Sequence, residues 1–310
     1  MSCSIANSCA TKTGVSGKPA RPVREATKRS ILMCRPTFFT VAYKINPWMD
    51  PEAGVDQTKA LKQWQRLYDV YQELGFDVHL VDPLPGLPDM VYAANGGLVL
   101  GNVAYGAKFL HPERHAEGPA YMAWFRKHGL KVAEPRETNE GQGDFLPVGD
   151  VILAGTGFRT NPRSHQEVAR VFDREVVTLK LVNPRYYHLD TALTVLDREP
   201  VDASSPCIAY LESAFDEESL AILRDRFPNA ILATEEDAAV FAMNVYSDGY
   251  NVVIPSRAKT FGRQLREHGY NPISVDLSEL LLGGGSIKCC TLDLHPELST
   301  ASRHITRISS

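Results

Sequence analysis

The feature that most constrains the fold is a pattern that the chain repeats five times. Each unit of roughly 40 to 60 residues reads as a helix, a stop, a strand, a loop with a polar residue and a second strand. The clearest helix spans 58–74, where apolar residues recur at helical spacing until Gly75 ends it. A repeat of this length predicts modules that stack or close radially, and radial closure places equivalent strand ends around one axis.

The remaining predicted elements occur in the same order along the chain. Strands are predicted at 30–34, 76–81, 98–100, 130–133, 145–148, 151–154, 176–179, 192–196, 230–232, 251–254 and 273–275, and helices at 119–128, 164–172, 220–227 and 263–268. If the units close radially, five polar residues would lie near one pole: Asn95, Glu140, His188, Asn244 and Cys289. An α/β sandwich also alternates helices with strands, so that architecture stays open at this point.

Length and composition suit a chain with a large core. Of its 310 residues, 44% are hydrophobic and 23% are charged, and we predict a single catalytic α/β domain over 30–296. Residues 1–29 are rich in Ser, Ala, Thr, Lys and Arg but lack the apolar stretch of a secretory signal. They are predicted to form a disordered leader, with a targeting role left open, and residues 297–310 are predicted to form a C-terminal tail.

Charge and hydropathy exclude two classes of partner. The net charge of −4 provides no basic surface for nucleic acid, and no segment approaches 18 consecutive apolar residues, so we expect no membrane span. The six cysteines show neither metal-ligand spacing nor a disulfide framework, which favours a reducing cytoplasm. We therefore expect a cytoplasmic protein that acts on a small molecule without a metal or other cofactor, with homo-oligomer formation left open.

A glycine run near the end of the chain precedes the strongest candidate nucleophile. Three glycines at 283–285 are followed by Lys288, Cys289 and Cys290 and then by an alternating segment that is predicted to be a strand. A thiol at the mouth of a strand is accessible beside a bare glycine backbone, and the ammonium group of Lys288 would favour its thiolate form. The alternative is a buried structural cysteine before a core strand.

His188 and Asp190 form a second candidate group. They lie two residues apart, and at β spacing both side chains would point to the same face, so that an imidazole and a carboxylate would share one pocket. A cysteine, a histidine and an acid together supply a nucleophile, a proton shuttle and an orienting group. The sequence therefore predicts covalent catalysis by Cys289 with His188 if the fold brings them together.

Three short motifs carry a family resemblance. The motif Glu-Gly-Gln-Gly-Asp at 140–144, His-Leu-Asp-Thr at 188–191 and the glycine-preceded Lys-Cys-Cys-Thr at 288–291 occur in that order. They resemble the catalytic motifs of the guanidino-group-modifying, or pentein, superfamily, which includes arginine deiminases, dimethylarginine dimethylaminohydrolases and amidinotransferases. The resemblance covers about 32–294, extends through 43–49, 88–95, 109–114 and 157–160, and looks closest to the arginine dihydrolase domain of bacterial arginine-catabolic proteins. It implies an α/β fold in the form of a fivefold pseudosymmetric propeller.

The resemblance also implies the catalytic roles. Cys289 matches the nucleophile, because the family register places the thiol before the residue–Thr pair, although Cys290 is adjacent. His188 matches the proton shuttle. The acid motif is one residue longer than the common Glu-Gly-Gly-Asp form, which leaves both Glu140 and Asp144 open as the catalytic acid, and we favour Glu140.

The residue types fit a guanidinium substrate with an α-carboxylate. A guanidinium is a planar cation that stays protonated in water, and carboxylates bind it bidentately. Asp190 and Glu140 suit this role, whereas Arg114 and Arg159 match the family positions that bind a carboxylate. The predicted substrate-binding set is Asn46, Asn95, Arg114, Arg159, Asp190, Asp144 and Gly283.

Asn95 determines which reaction the sequence favours. It stands where deiminases carry an aspartate, and the resemblance implies that such an asparagine accompanies hydrolysis that continues past citrulline. We therefore expect an arginine dihydrolase that converts arginine through citrulline to ornithine, CO2 and ammonia. Alternatives that stay open are dimethylarginine hydrolysis to citrulline and dimethylamine, amidino transfer, agmatine deimination, and a noncatalytic binding propeller that resembles the ribosome-binding initiation factor of this fold.

Overall fold

The computed structural model describes residues 23–198 and 207–295, and over these ranges strands and helices alternate. The strands are β1 (Ser30–Cys34), β2 (Asp77–Val81), β3 (Gly97–Leu100), β4 (Val103–Gly106), β5 (Lys131–Ala133), β6 (Phe145–Val148), β7 (Val151–Thr156), β8 (Glu175–Lys180), β9 (Leu193–Val195), β10 (Ile208–Tyr210), β11 (Ile231–Leu232), β12 (Tyr246–Ser247), β13 (Asn251–Pro255), β14 (Asn271–Val275) and β15 (Leu292–His295). The helices are α1 (Gln57–Glu73), α2 (Glu117–Lys127), α3 (Pro162–Phe172), α4 (Leu189–Ala192), α5 (Glu217–Arg226), α6 (Glu235–Ala238), α7 (Lys259–Glu267) and α8 (Ser278–Leu281).

The strands form five three-stranded units with the same topology. In each unit the middle strand pairs antiparallel with the first strand and parallel with the third, as in β3-β4-β5, β6-β7-β8, β9-β10-β11 and β12-β13-β14. The fifth unit combines the two ends of the described chain, since β15 pairs antiparallel with β1, and β1 pairs parallel with β2. The predicted α/β class and its fivefold repeat are confirmed.

First strands of the units are neighbours around a common axis. β15 pairs with β3, while β6 contacts β9 and β9 contacts β12. Helices α1, α2, α3 and α7 pack against the second or third strands of their units, so they lie outside this inner set. The residues that immediately precede the inner strands are therefore brought together at one end of the axis.

Local sequence determines where the helices begin and end. Asp56 caps α1 by accepting a hydrogen bond of 2.9 Å from the backbone N–H of Lys59. Trp64 and Tyr71 on its inner face are fully buried. Gly75 follows in the left-handed region with φ +76°, which favours glycine after a helix. The predicted helix at 58–74 is thus confirmed to within one residue at each end.

Residues 23–29 belong to the packed structure, although the sequence predicted a leader that ends at residue 29. The guanidinium of Arg24 lies 3.6 Å from the centre of the Tyr270 ring and forms a buried ion pair with Asp197. Thr27 donates its backbone N–H to the carbonyl of Asp248 at 2.9 Å. The predicted boundary at residue 30 is therefore too late, because tertiary contacts order this polar segment. Residues 1–22 and the predicted tail at 297–310 lie outside the described residues.

The helices were also compared with the length and hydropathy that a membrane-spanning helix requires. Within the two described ranges, no helix has both the length and the apolar character to cross a lipid bilayer.

Candidate active site

Cys289 lies in the turn before β15 and is 2% exposed. Its Sγ accepts a hydrogen bond from Nδ2 of Asn244 at 3.1 Å and lies 3.4 Å from Oδ2 of Asp190. Oδ1 of Asn244 also accepts the backbone N–H of Cys289 at 3.1 Å. One asparagine from the neighbouring unit therefore fixes both the backbone and the sulfur of the candidate nucleophile.

Burial keeps the thiol protonated in the unliganded site. It raises the pKa of Cys289 well above the usual value, and the adjacent Asp190 raises this pKa further. Burial also raises the pKa of Asp190 to about 7, against the effect of Lys288. The expected activation by Lys288 is wrong for this state, because its Nζ donates instead to Oε1 of Gln142 and the carbonyl of Thr291, both at 2.9 Å.

His188 is oriented by Glu140. Nε2 of His188 lies 2.8 Å from Oε2 of Glu140, and Nη1 of Arg159 donates to both oxygens of the same carboxylate at 3.2 and 3.0 Å. Burial alone would raise the pKa of Glu140, but Arg159, His188 and Arg114 outweigh it and hold that pKa well below its usual value. Because an ionised carboxylate accepts hydrogen bonds, the imidazole proton belongs on Nε2.

The other ring nitrogen of His188 is available for proton transfer. Nδ1 is buried and has no hydrogen-bond partner among the described residues. Gly143 leaves the space beside it: a Cβ at this position would lie 3.2 Å from Nδ1 of His188 and 2.4 Å from Nδ2 of Asn95. The glycine therefore allows an imidazole and an amide to flank the same small volume.

Glu140, rather than Asp144, contacts His188. The two oxygens of Asp144 accept hydrogen bonds from the hydroxyl of Thr160 at 2.6 Å and from the backbone N–H of Leu189 at 3.0 Å. Burial raises the pKa of Asp144 to about 6. Asp144 thus holds the segment that carries His188, and its carboxylate is used within the protein, which differs from the substrate-binding position expected from the sequence.

The expected β spacing of His188 and Asp190 is wrong. Residues Leu189–Ala192 form a helical turn, α4, with His188 in extended conformation just before it. The imidazole therefore reaches Glu140, whereas the carboxylate of Asp190 reaches the thiol of Cys289. Both side chains face the candidate site, but they do so because the chain turns between them.

Arg114 forms a buried network with the residues on its side of the site. Its Nη1 donates to Oδ1 of Asn95 at 3.0 Å, while Nε and Nη2 donate to the carboxylate of Glu117 at 3.0 and 2.8 Å. Nη2 also donates to the carbonyl of Asp89 at 3.3 Å. Burial raises the pKa of Glu117 to about 7, against the effect of Arg114. The guanidinium is thus fixed beside Asn95.

Asn46 and the glycine run close the other side of the site. Nδ2 of Asn46 donates to the carbonyl of Gly283 at 3.1 Å, and the hydroxyl of Tyr187 donates to the carbonyl of Gly284 at 2.7 Å. Gly284 has φ +87°, and a Cβ at Gly283 would lie 2.2 Å from the hydroxyl oxygen of Tyr92. The glycines are therefore required by backbone conformation and by close packing.

Cys290 has different surroundings from its neighbour. It is fully buried in the apolar cluster that includes Tyr71 and Ile287. Burial raises the pKa of Cys290 far above its ordinary value. Its sulfur has no hydrogen bond in the described part of the chain to compare with those of Cys289, so the packing favours a structural role.

Hydrogen bonds and ion pairs group most of the predicted residues into four sets. They connect Cys289 with Asp190, His188 with Glu140 and Arg159, Arg114 with Asn95, and Asn46 with Gly283. Sequence reasoning gave no role to Asn244, Tyr187, Asp89 or Glu117. The sequence did place Asn244 among the five polar residues expected near one pole, and Asp89 lies in the stretch 88–95 that carries the resemblance, but no chemical role was assigned to either.

Comparisons with known families agree on one group of proteins. The family model for eukaryotic N,N-dimethylarginine dimethylhydrolase matches residues 44–296. The chain is 50% identical over 280 residues to the N(G),N(G)-dimethylarginine dimethylaminohydrolase of Mycobacterium tuberculosis, with 90% of each chain covered. It is 37% identical over 290 residues to the bifunctional arginine dihydrolase/ornithine cyclodeaminase of Synechocystis, covering 89% of this chain and 40% of that longer protein.

Solved structures show the same relationship. The N-terminal domain of the Synechocystis dihydrolase, as a cysteine-to-serine variant bound to substrate, has a TM-score of 0.81 at 36% identity, covering 87% of this chain and 99% of that one. An asparagine-to-serine variant of the same domain, covalently bound to a reaction intermediate, gives the same TM-score and identity. A dimethylarginine dimethylaminohydrolase adduct with S-methyl-L-thiocitrulline has a TM-score of 0.72 at 20% identity, covering 86% of this chain and all of that one, and agrees in fold.

Proposed function

The chain belongs to the dimethylarginine dimethylaminohydrolase family of the pentein superfamily, whose members hydrolyse guanidino C–N bonds. From this membership we propose that it is an arginine dihydrolase, which converts free L-arginine through citrulline to ornithine with release of CO2 and ammonia. The observation that carries the choice of substrate is Asn95, a neutral amide placed beside Arg114 and the ring of His188. The relative whose arginine dihydrolase domain shares this fold supports the same choice.

Substrate binding activates the nucleophile in this mechanism. The guanidinium enters between the carboxylates of Asp190 and Glu140, and its positive charge replaces the thiol proton as the partner of Asp190. An adjacent cation favours the thiolate, so the proton leaves Cys289 for Nδ1 of His188. The free enzyme thereby keeps an unreactive thiol until a cation of the right shape is bound.

The first hydrolytic round uses the thiolate and the free ring nitrogen of His188. Sγ of Cys289 attacks the guanidinium carbon, and His188 gives its proton to the terminal nitrogen, which leaves as ammonia. The result is an amidino-thioether. His188 then accepts a proton from water, the water attacks the same carbon, and the carbon–sulfur bond breaks to give citrulline and free Cys289.

The second round uses the same groups on a neutral substrate. Cys289 attacks the ureido carbon of citrulline, the terminal nitrogen leaves as a second ammonia, and a thiocarbamate to Sγ remains. Water cleaves it to a carbamate, which loses CO2 to leave ornithine. Asn95 can donate and accept hydrogen bonds without a charge, so it holds a neutral ureido group about as well as a cation.

Binding of the amino-acid end falls to the buried arginines. Arg114 is 3% exposed and Arg159 is 4% exposed, and the guanidinium of Arg159 lies 4.6 Å from the centre of the Tyr187 ring. In the free protein both arginines neutralise carboxylates, Glu117 and Glu140 respectively. The α-carboxylate of a substrate would form ion pairs with these guanidinium groups. This favours arginine over agmatine, because agmatine has no carboxylate.

Dimethylarginine is the second candidate substrate, favoured by the matching family model and by the 50% identical relative. The same attack by Cys289 would release dimethylamine and give citrulline, and the reaction would end there. The two proposals share the nucleophile and the proton shuttle, and they differ in whether hydrolysis continues after citrulline has formed.

A product assay on the purified full-length protein tests both proposals. Arginine, asymmetric dimethylarginine, citrulline and agmatine are supplied separately, and ornithine, citrulline, ammonia and dimethylamine are quantified. We expect ornithine and roughly two ammonia per arginine, because each hydrolytic round releases one nitrogen. One ammonia with citrulline as the end product, or turnover of dimethylarginine alone, would replace the dihydrolase proposal with the second candidate or with a deiminase.

A further inference from the structure

A cavity of about 40 Å³ lies along the inner strands beyond the catalytic residues. Its walls come from β6, β9, β12 and β15, the strands that come after Glu140, His188, Asn244 and Cys289. The cavity, here named the axial cavity, is therefore displaced along the axis from the thiol. A site needs roughly 10 to 15 Å³ to hold one water, so this space fits a few waters or one small anion.

Positive charge predominates in the lining of the axial cavity. Arg29, Arg198 and Lys288 face a single carboxylate, that of Asp293. Asp293 forms an ion pair with Arg198, and its Oδ2 lies 3.7 Å from Nε2 of His295. Burial lowers the pKa of His295 well below its ordinary value despite the opposing effect of Asp293, so its imidazole is neutral near pH 7. The remaining lining includes the hydroxyl groups of two alcohol side chains and one tyrosine: Thr194, Ser247 and Tyr246.

Arg29 is the buried cation of this lining whose side chain forms no hydrogen bond with the described residues. The residue is 5% exposed, and its Nε is buried with no hydrogen-bond acceptor in 23–198 or 207–295. The nearby carboxylate of Asp248 accepts instead from the backbone N–H groups of Tyr250 and Asn251, at 2.9 and 2.6 Å. Burial lowers the pKa of Arg29. A buried, unpaired guanidinium is costly, and a bound anion would remove this cost.

Asp293 restricts the kind of anion that fits. Its Oδ1 is buried and accepts no hydrogen bond from the described residues. Burial alone would raise the pKa of Asp293, but His295, Arg198 and Arg29 hold it far below its usual value, so the carboxylate stays ionised and can only accept. An anion beside it must therefore present a hydroxyl group of its own to this oxygen.

We propose that the axial cavity is a binding site for a small oxyanion that carries a proton, such as bicarbonate or hydrogen phosphate. The guanidinium of Arg29 donates to the oxygens of the anion, and the hydroxyl of the anion donates to Oδ1 of Asp293. The site does not depend on the substrate of the enzyme. It is connected to the catalytic end through Lys288, which precedes Cys289 and contacts Gln142.

The test is thermal unfolding of the full-length protein without substrate, at increasing bicarbonate or hydrogen phosphate. Ionic strength is matched with sodium gluconate, whose anion is too large for the cavity. We expect Tm to rise by about 2 to 3 °C at ten times the dissociation constant. Arg29→Met should abolish this rise, and in gluconate alone its Tm should equal or exceed that of the wild type, because an unpaired buried cation has been removed.

Arg66→Met is the matched control, since it removes the same charge from an exposed position on α1 and should leave the anion response intact. The proposal fails if the wild type shows no rise above gluconate, if Arg29→Met retains the rise, or if sulfate and nitrate, which carry no proton, stabilise as strongly. Loss of folding in Arg29→Met under gluconate would also contradict it, because Arg29 would then have an intramolecular partner.

A second measurement is independent of any variant. Crystals of the wild-type protein soaked in bicarbonate or phosphate should show density for the oxyanion within hydrogen-bond distance of Arg29 and of Oδ1 of Asp293. A cavity that contains only water after the soak would overturn the proposal.

Discussion

At the scale of single residues, Cys289 and Cys290 are adjacent and both buried, yet among the described residues only the sulfur of Cys289 forms hydrogen bonds with side chains. Asn244 and Asp190 hold the sulfur of Cys289, whereas Cys290 lies in an apolar cluster. The same contrast explains Glu140 and Asp144, two acids of one motif, of which only Glu140 contacts His188. We therefore assign the nucleophile and the acid by the hydrogen bonds that each side chain forms.

Replacing Cys289 by Ser should abolish turnover of arginine, because a serine hydroxyl is a far weaker nucleophile than a thiolate at this position. Cys290→Ser is the matched control and should retain measurable activity, with some loss of stability from a hydroxyl in an apolar cluster. Steady-state rates and Tm of both variants check this. Activity that survives in Cys289→Ser would remove this residue from the mechanism.

Replacing Asn95 by Asp should shift the end product from ornithine toward citrulline. A carboxylate beside the guanidinium strengthens the hold on cationic arginine but loses its charge-assisted hydrogen bond once the product is neutral. Quantification of citrulline and ornithine over time gives the ratio directly. An unchanged ratio, with arginine still consumed, would show that Asn95 does not determine the extent of hydrolysis.

Replacing Asp190 by Asn should stabilise the fold at neutral and alkaline pH while removing activity. Burial raises the pKa of Asp190 from 3.8 to about 7, so the folded state binds the proton more tightly and stability falls as pH rises from about 4 to 7. The variant lacks this titration. We expect its Tm at pH 8 to exceed that of the wild type by several degrees, with a smaller difference at pH 5. Equal differences at both values would contradict a raised pKa.

At the scale of elements, the sequence predicted most strands and the five longer helices, α1, α2, α3, α5 and α7, because their burial is periodic, whereas the four-residue helices α6 and α8 were missed. The turn at α4 was missed, since four residues after His188 are too few to show a helical period, and the contacts that fold them come from Asp144. Three strands were missed for a similar reason, because β4, β10 and β12 have only four, three and two residues. Among the site residues, Glu117 lies only three residues after Arg114 but follows no motif that would mark it, whereas Asp89 reaches Arg114 through tertiary structure.

Replacing Gly143 by Ala should lower kcat strongly with a modest effect on stability. The added Cβ would lie 2.4 Å from Nδ2 of Asn95 and 3.2 Å from Nδ1 of His188, so one or both side chains must move away from their reactive positions. Gly129→Ala is the control, because Gly129 has φ +81° with nothing within 4 Å. It should cost about 1 kcal/mol of stability and leave kcat unchanged. Equal kcat in the two variants would refute a role for the space at Gly143.

At the scale of the whole molecule, the packing joins segments that are far apart in the sequence. The fifth unit combines β1 and β2 with β15, and residues 23–29 pack against residues of the third and fourth units through Asp197, Asp248 and Tyr270. These contacts make the described ends of the chain part of the cooperative structure. Sequence repetition predicted the units, but composition gave no indication that the segment before β1 would be ordered.

Replacing Arg24 by Ala should destabilise the protein by about 3 to 5 kcal/mol, because it leaves the buried carboxylate of Asp197 without its cation. Arg66→Ala breaks a pair with Glu73 in which both side chains are more than half exposed, and it should have little effect on the free energy of unfolding. Urea unfolding of both variants measures the difference. Similar costs would show that residues 23–29 do not contribute to the cooperative unfolding.

The position of β15 has a consequence for how the protein acquires activity. Its register pairs Ile31 with Asp293 and Leu294 with Val99, so the nucleophile lies three residues before the strand that joins the fifth unit to the unit of β3, β4 and β5. Contacts of such high sequence separation form slowly, and a nascent chain that has not yet reached Cys289 can carry every other catalytic group while remaining inert. The active site is therefore complete only after the chain has been made through Cys289 and the ring has closed.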